Sequence, residues 1–371
     1  MTAIALGMPS GIRRGPDADD TDVSGPSGMP TSGPMVDTFG RTTRDLRVSL
    51  TDRCNLRCTY CMPAEGLDWL PRSEVLDTAE LVRLIGIAVG DLGVTAIRFT
   101  GGEPLLRKDL PEIIEAVARL DPRPEMAVTT NGLGLRRQAA RLAAAGLDRV
   151  NVSLDTLDRD RFAAITRRDR LHDVLDGLAA AREAGLSPVK INAVLSPDGG
   201  LDDAPALLRM CLDNGYALRI IEQMPLDAGH TWSRSDMITA DMVHERLSRE
   251  FDLVADPRPR GSAPAETWVV RGHQMPGRDG ETVDARVGII ASVTRPFCGD
   301  CDRTRLTADG ALRTCLFSTT ETDLRGLVRG GADDAEIALA WRRATWGKLP
   351  GHAINDPSFL QPTRPMSAIG G

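Results

Sequence analysis

The sequence predicts an α/β fold: a partial (β/α)6 barrel of the TIM type, closed by a C-terminal, β-containing region. Three observations predict it. Six short apolar runs alternate with longer amphipathic stretches, the pattern of βα units whose strands run parallel. Four of those stretches stop at a glycine (Gly93, Gly146, Gly185, Gly215), and glycine just past a helix end accepts left-handed backbone. Polar and glycine-rich motifs follow strand after strand on the side where the chemistry of α/β barrels gathers. An open doubly wound sheet is the alternative arrangement of the same units.

The units follow in order. A strand over 46–50 leads into a loop carrying Cys54, Cys58 and Cys61. One over 96–100 leads into Gly101-Gly102-Glu103-Pro104, and one over 126–130 ends in Thr129-Thr130-Asn131-Gly132. The fourth, 150–154, carries Ser153 and precedes Asp155; the fifth, 189–195, carries Lys190 and Asn192; the sixth, 218–222, precedes Met224. Amphipathic stretches over 78–92, 110–120, 135–145, 174–184 and 205–214 supply helices between them. From about 229 the pattern changes. Prolines crowd 256–264, β-like runs cover 267–271 and 285–293, and 303–307 reads as a strand after Cys301. A last helix covers roughly 335–346. The expected division is a disordered extension over 1–38, rich in Gly, Pro, Ser and Asp without an aromatic residue, a barrel over 39–228 and a C-terminal region over 229–371.

The chain of 371 residues suffices for one barrel and a smaller appendage, and its 42% hydrophobic content can fill a globular core. A net charge of −7 argues against a nucleic-acid surface. No apolar run approaches the roughly 20 residues of a membrane helix, so no membrane partner is expected. The start resembles no secretory signal, which leads to the expectation of a cytoplasmic protein with reduced thiols.

Six of the seven cysteines form two trios, Cys54-x3-Cys58-x2-Cys61 and Cys298-x2-Cys301-x13-Cys315. Cys211 stands alone in a helical stretch and reads as a small buried hydrophobe. A disulfide framework needs an even count and a small secreted domain. Structural zinc also uses CxxC pairs, but a closed zinc site takes four ligands, and none of the five histidines lies near either trio. Iron–sulfur cubanes normally take four thiolates, so three leave one iron open to a small molecule. Two trios therefore predict two such clusters and an enzyme holding two ligands.

The CxxxCxxC loop, with Tyr60 just before its last cysteine and Gly101-Gly102-Glu103-Pro104 one strand later, resembles the radical S-adenosylmethionine superfamily. The resemblance implies that the open iron of a [4Fe-4S] cluster chelates S-adenosylmethionine, whose reductive cleavage gives a 5′-deoxyadenosyl radical. It implies that Tyr60, Gly102, Ser153 and Met224 bind that cofactor.

Longer stretches resemble one family within it, the GTP 3′,8-cyclases of molybdenum cofactor biosynthesis. They run from Leu46-Arg47-Val48-Ser49 to Cys61-Met62-Pro63, from Arg98 to Leu105, from Phe297 to Leu306, and through the ending Arg364-Pro365-Met366-Ser367-Ala368-Ile369-Gly370-Gly371. The resemblance extends from Phe39 to the end. It implies GTP binding by Arg47, Arg98, Thr129, Lys190, Arg303, Thr304 and Arg305, with Arg219 a further candidate. Arginine suits that ligand, because its planar fork meets phosphate bidentately and stays charged. Arg303 and Arg305, two apart on a strand, share a face. The family implies a second [4Fe-4S] cluster that holds guanine, abstraction of hydrogen from ribose C3′, and closure of C3′ onto C8. It also implies a diglycine tail in the active site, an electron donor, a following pathway enzyme and a homodimer. Another radical enzyme, one that modifies peptides, is the competing reading; the arginine pair after Cys301 and the diglycine end argue against it.

Overall fold

The computed structural model describes residues 28–274, 282–356, 359–362 and 364–370. Six parallel strands come first: β1 (Asp45–Ser49), β2 (Ala96–Thr100), β3 (Glu125–Thr130), β4 (Arg149–Ser153), β5 (Val189–Ala193) and β6 (Ala217–Ile221). Between them run α1 (Thr78–Gly90), α2 (Leu110–Ala118), α3 (Leu135–Ala144), α4 (Arg159–Thr166), α5 (Leu171–Glu183) and α6 (Gly200–Asn214). The C-terminal region adds β7 (Leu253–Ala255), β8 (Glu266–Gln274), β9 (Thr282–Ile290), β10 (Arg303–Leu306), β11 (Ala311–Arg313) and β12 (Thr322–Asp323). Its helices are α7 (Ala240–Ser248), α8 (Leu324–Arg329), α9 (Asp334–Trp346) and the short α10 (Met366–Ile369).

All twelve strands join one sheet, in the order β12-β11-β10-β1-β2-β3-β4-β5-β6-β9-β8-β7. The barrel's outer strands each gain a parallel neighbour from the C-terminal region, β10 beside β1 and β9 beside β6. Each edge then ends in antiparallel strands. The C-terminal region is thus built into the barrel wall.

Alternation along each strand sorts its side chains. Leu46, Val48, Ile97, Phe99, Val150, Val152, Ile191, Leu218 and Ile220 lie in the hydrophobic core with the helices. The residues between them, Arg47, Arg98, Thr129, Ser153, Asn192 and Arg219, line a cavity inside the barrel. A barrel with a polar inner face is a chamber, not a packed core.

The six expected barrel strands match within two residues. Helices α4, α7, α8 and α10 were not anticipated: α8 is six residues long and α10 four, and α4 buries only Phe162, Ile165 and Thr166, too few to set a helical period. Residues 28–38 also depart from the expected disorder. Met29 and Met35 are each 1% exposed, Val36 bridges Thr42, and Asp37 pairs with Arg41. The rest of that extension, 1–27, lies outside the described residues. No helix among the described residues is long and apolar enough to cross a membrane.

Candidate active site

One cavity of about 310 Å³ is lined by all six trio cysteines. The size falls in the range of small-molecule sites, roughly 300–1,000 Å³.

The first trio sits on the loop after β1. Its backbone is pinned from outside: the Thr59 N–H donates to Ile165 O at 2.9 Å and the Arg57 N–H to Thr166 O at 3.1 Å, at the end of α4. The Cys61 N–H closes a turn on Cys58 O at 2.9 Å. From the other side the glycine pair docks on the same loop. The Gly102 N–H donates to Thr51 O at 2.7 Å, and a Cβ on Gly102 would collide with the carbonyl oxygens of Asp52 and Arg53. Only glycine permits that approach. Glu103, fully buried, accepts from Thr130 Oγ1 and the Asn131 N–H at 2.7 Å each and from the Leu105 N–H at 3.0 Å. Burial pushes its carboxyl up to about 7. Asn131, held in this way, donates to Cys54 Sγ at 3.8 Å and to Asn55 Oδ1 at 2.7 Å. Burial raises the thiols of Cys54 and Cys58, and that of Cys61 to about 12. Tyr60 donates to Asp155 Oδ2 at 2.9 Å, and Asp155 Oδ1 accepts from the Val194 N–H at 2.9 Å.

The second trio begins in a 3-10 turn at Cys298–Asp300 and ends with Cys315, just after β11. Buried cations brace it. Arg41, fixed by Asp37 at 2.6 Å, donates to Cys298 O at 2.7 Å, Pro350 O at 2.9 Å and Leu349 O at 2.7 Å. Lys348 donates to Cys301 O and Arg303 O at 2.9 Å each. Burial works to raise the Cys301 thiol, but Arg303 and Lys348 outweigh it and bring it to about 7.

Between the trios stands a row of arginines. Parallel register sets Arg305, Arg47 and Arg98 side by side on β10, β1 and β2. Arg303 precedes Arg305, its guanidinium 4.5 Å from the centre of the Phe297 ring. Burial lowers all three arginines of the row, Arg305 to about 10, and lowers Arg219 to about 9. The Nε atoms of Arg47, Arg98, Arg219 and Arg303 are buried without a hydrogen-bond partner among the described residues. Asp45, 3.5 Å from Arg98, and Asp302, 4.0 Å from Arg303, are the carboxylates within ion-pairing reach of this group among the described residues. Buried, unpaired charge is costly, so the group calls for a polyanion.

Of the residues expected to bind GTP, Arg47, Arg98, Thr129, Arg303 and Arg305 line the chamber. Lys190 does not. It lines an adjoining basic cavity, which shares Arg47, Arg98, Arg219 and Arg303 with the chamber, and burial lowers its amine to about 8. Thr304 lines neither cavity. Alternation on β10 turns it away from its arginine neighbours, 1% exposed, and its hydroxyl donates to Arg313 O at 3.3 Å. The four residues expected at S-adenosylmethionine, Tyr60, Gly102, Ser153 and Met224, all line the chamber. Asn131, Asn192, Phe297 and His352 line it too, without an expected binding role. The tail reaches the same place. Gly370, with φ 83°, passes its carbonyl to the Arg305 guanidinium, and a Cβ there would collide with Ser49 Oγ and Thr100 Cγ2. Gly371 lies outside the described residues.

The thiols fit clusters better than a single ion. Among the described residues no three Cys, His, Asp or Glu side chains sit close enough together to grip one metal ion. A zinc site needs its donors within about 2.0–2.3 Å of one point. Three sulfurs to a trio, opening on one chamber and hydrogen-bonded by N–H groups, suit a larger thiolate-held group.

Comparison with known proteins shows the family of the chain. Residues 48–211 match the family described as the Radical SAM superfamily, and residues 216–354 match Molybdenum Cofactor Synthesis C. The chain is 61% identical over 372 residues to a GTP 3′,8-cyclase of Mycolicibacterium smegmatis, covering all of both chains. It is 61% identical over 371 residues to GTP 3′,8-cyclase 2 of Mycobacterium tuberculosis, again end to end. Among solved structures, Streptococcus suis SuiB bound to S-adenosylmethionine aligns at a TM-score of 0.55 and 14% identity. That alignment covers 88% of this chain and 76% of SuiB, a likeness of fold.

Proposed function

This chain belongs to the GTP 3′,8-cyclase family of the radical S-adenosylmethionine superfamily, and from that premise we propose how its residues perform the reaction. The reaction converts GTP to (8S)-3′,8-cyclo-7,8-dihydroguanosine 5′-triphosphate, the first step of molybdenum cofactor biosynthesis. The observation that carries the residue-level reading is the single chamber lined by both cysteine trios and the arginine row.

Cys54, Cys58 and Cys61 would hold one [4Fe-4S] cluster, and Cys298, Cys301 and Cys315 a second. When bound, the first cluster and S-adenosylmethionine would supply the radical chemistry that acts at ribose C3′, and the second would supply a site for the guanine end of GTP. Tyr60, Gly102, Ser153 and Met224 line the space for S-adenosylmethionine. Arg47, Arg98, Arg303 and Arg305 take the triphosphate, with Lys190 meeting it from the adjoining cavity. Buried nitrogens of Arg47, Arg98 and Arg303 without a partner among the described residues are donors held ready for it, so little reorganisation is needed on binding. Thr129 borders the same space. The Gly370 carbonyl holds Arg305 in place. Fixing GTP at both ends sets C3′ toward the radical source, and such positioning contributes several kcal/mol, up to about 7–11, to a barrier. Apolar lining from Met224, Phe297 and Phe317 keeps water and stray hydrogen donors out. The reaction draws electrons from an external donor and passes its product to the next enzyme of the pathway.

Anaerobic incubation of the reconstituted protein with GTP, S-adenosylmethionine and dithionite tests the reading. It predicts the cyclic triphosphate and 5′-deoxyadenosine in step. Cleavage of S-adenosylmethionine without any nucleotide product would refute the GTP assignment.

A further inference from the structure

We propose that Lys348 is a positioning residue for the second cluster: its ammonium clamps Cys301 and, as a fixed positive charge against one ligand sulfur, makes that cluster easier to reduce. The inference rests on the reading of Cys298, Cys301 and Cys315 as cluster ligands.

Lys348 lies two residues past α9 and is 4% exposed. Its Nζ donates to Cys301 O at 2.9 Å, Arg303 O at 2.9 Å and Cys301 Sγ at 3.5 Å. An ammonium has three N–H donors and no acceptor, and here each donor meets an acceptor. A neutral amine could satisfy only two of them. Yet no carboxylate pairs with Lys348 among the described residues, and a buried charge without a counter-charge is strongly disfavoured. The anion that completes the arrangement is the Cys301 thiolate and the cluster it carries.

The first trio is treated differently. Its sulfurs receive hydrogen bonds from the Leu56 N–H, the Asn131 amide and the Ser367 N–H, all neutral groups. Cluster potentials follow net charge and hydrogen bonding to sulfur. A charged donor touches one trio and neutral donors the other, where Arg57 acts on Cys54 only coulombically, and this difference separates the two potentials within one chamber. A lysine that merely propped the loop would serve through the two carbonyl oxygens alone; the contact to Sγ is the part that reaches the cluster.

The test uses the full-length chain with Cys54, Cys58 and Cys61 replaced by Ala, so that only the second cluster contributes. Iron, acid-labile sulfide and an EPR-monitored redox titration are measured for Lys348, Lys348→Gln and Lys348→Arg. Gln keeps a hydrogen-bond donor and removes the charge. It is expected to load the cluster and to lower its one-electron reduction equilibrium about tenfold, about 59 mV more negative, with Arg restoring the potential. Loss of the cluster in Gln but not in Arg also supports the clamp. An unchanged potential in a loaded Gln variant, or loss of the cluster in both variants, overturns the proposal. If the parent with Lys348 intact carries no iron–sulfur cluster at all, the ligand assignment itself fails, and this inference with it.

Discussion

Arg47 of β1 stands in register with Arg305 of β10, so two guanidiniums face the chamber side by side where the barrel meets its C-terminal strands. Arg98 continues the row on β2. Like charges on neighbouring strands oppose each other, and burial adds to the cost. The arrangement costs stability in the empty protein and is offset when a polyanion binds.

Arg47→Met removes the middle charge of the row while keeping an apolar stem. The unliganded chain is expected to unfold at an equal or higher denaturant concentration. GTP should bind at least about tenfold more weakly, as loss of a hydrogen bond to a charged group, about 1.5–3 kcal/mol, implies. Chemical denaturation and equilibrium binding measure the two effects. A less stable variant with unchanged GTP affinity would contradict this reading of the row.

The trios should separate by function. Cys58→Ala is expected to abolish reductive cleavage of S-adenosylmethionine with or without GTP. Cys301→Ala should depress GTP turnover yet leave some cleavage. Quantifying 5′-deoxyadenosine and the nucleotide product in parallel distinguishes them. Persistent cleavage in the first variant, or unchanged turnover in the second, would show a misassigned trio.

Gly370→Ala tests the tail. The residue has φ 83°, and an added Cβ would meet Ser49 and Thr100, so alanine must displace the carbonyl that holds Arg305. GTP turnover should fall by roughly tenfold or more, matching a positioning loss above about 1.4 kcal/mol. Cleavage of S-adenosylmethionine without GTP should be little changed. Equal turnover in both proteins would place the tail outside the reaction.

Asp155 gives the chain a pH signature. Burial raises its carboxyl to about 6, against an ordinary value of 3.8. A folded-state value above the unfolded one means that proton binding favours the fold. Its contribution is complete below about 3.8 and is lost as the pH rises through about 6. Asp155→Asn should flatten the fall in unfolding free energy of the cluster-free chain across that window. Urea titrations at several pH values check it, and an unaltered slope would show that Asp155 does not titrate there.

Much of this site can be read from local pattern. Barrel strands alternate apolar and polar residues, so Leu46, Val48 and Arg47 already declare which side faces the helices. The first trio announces itself because its three cysteines share one loop, as do Cys298 and Cys301, whereas Cys315 joins the chamber only after β10 and β11. The same alternation explains Thr304, which lies in the right motif on the wrong face of β10. Lys190 has the inward face but sits one rung nearer the start of β5 than Asn192, so it reaches the adjoining cavity. The braces of the second trio carry no local signal. Arg41 meets Cys298 O across 257 residues and Lys348 meets Cys301 across 47, contacts that only the fold creates.

The central claim is that both trios open on one chamber in which ribose C3′ of GTP meets the radical carbon of the cofactor. GTP deuterated at C3′ tests it most directly, by mass spectrometry of the 5′-deoxyadenosine formed in a single anaerobic turnover. The account predicts one deuterium carried into 5′-deoxyadenosine. Unlabelled 5′-deoxyadenosine alongside cyclised product would contradict it.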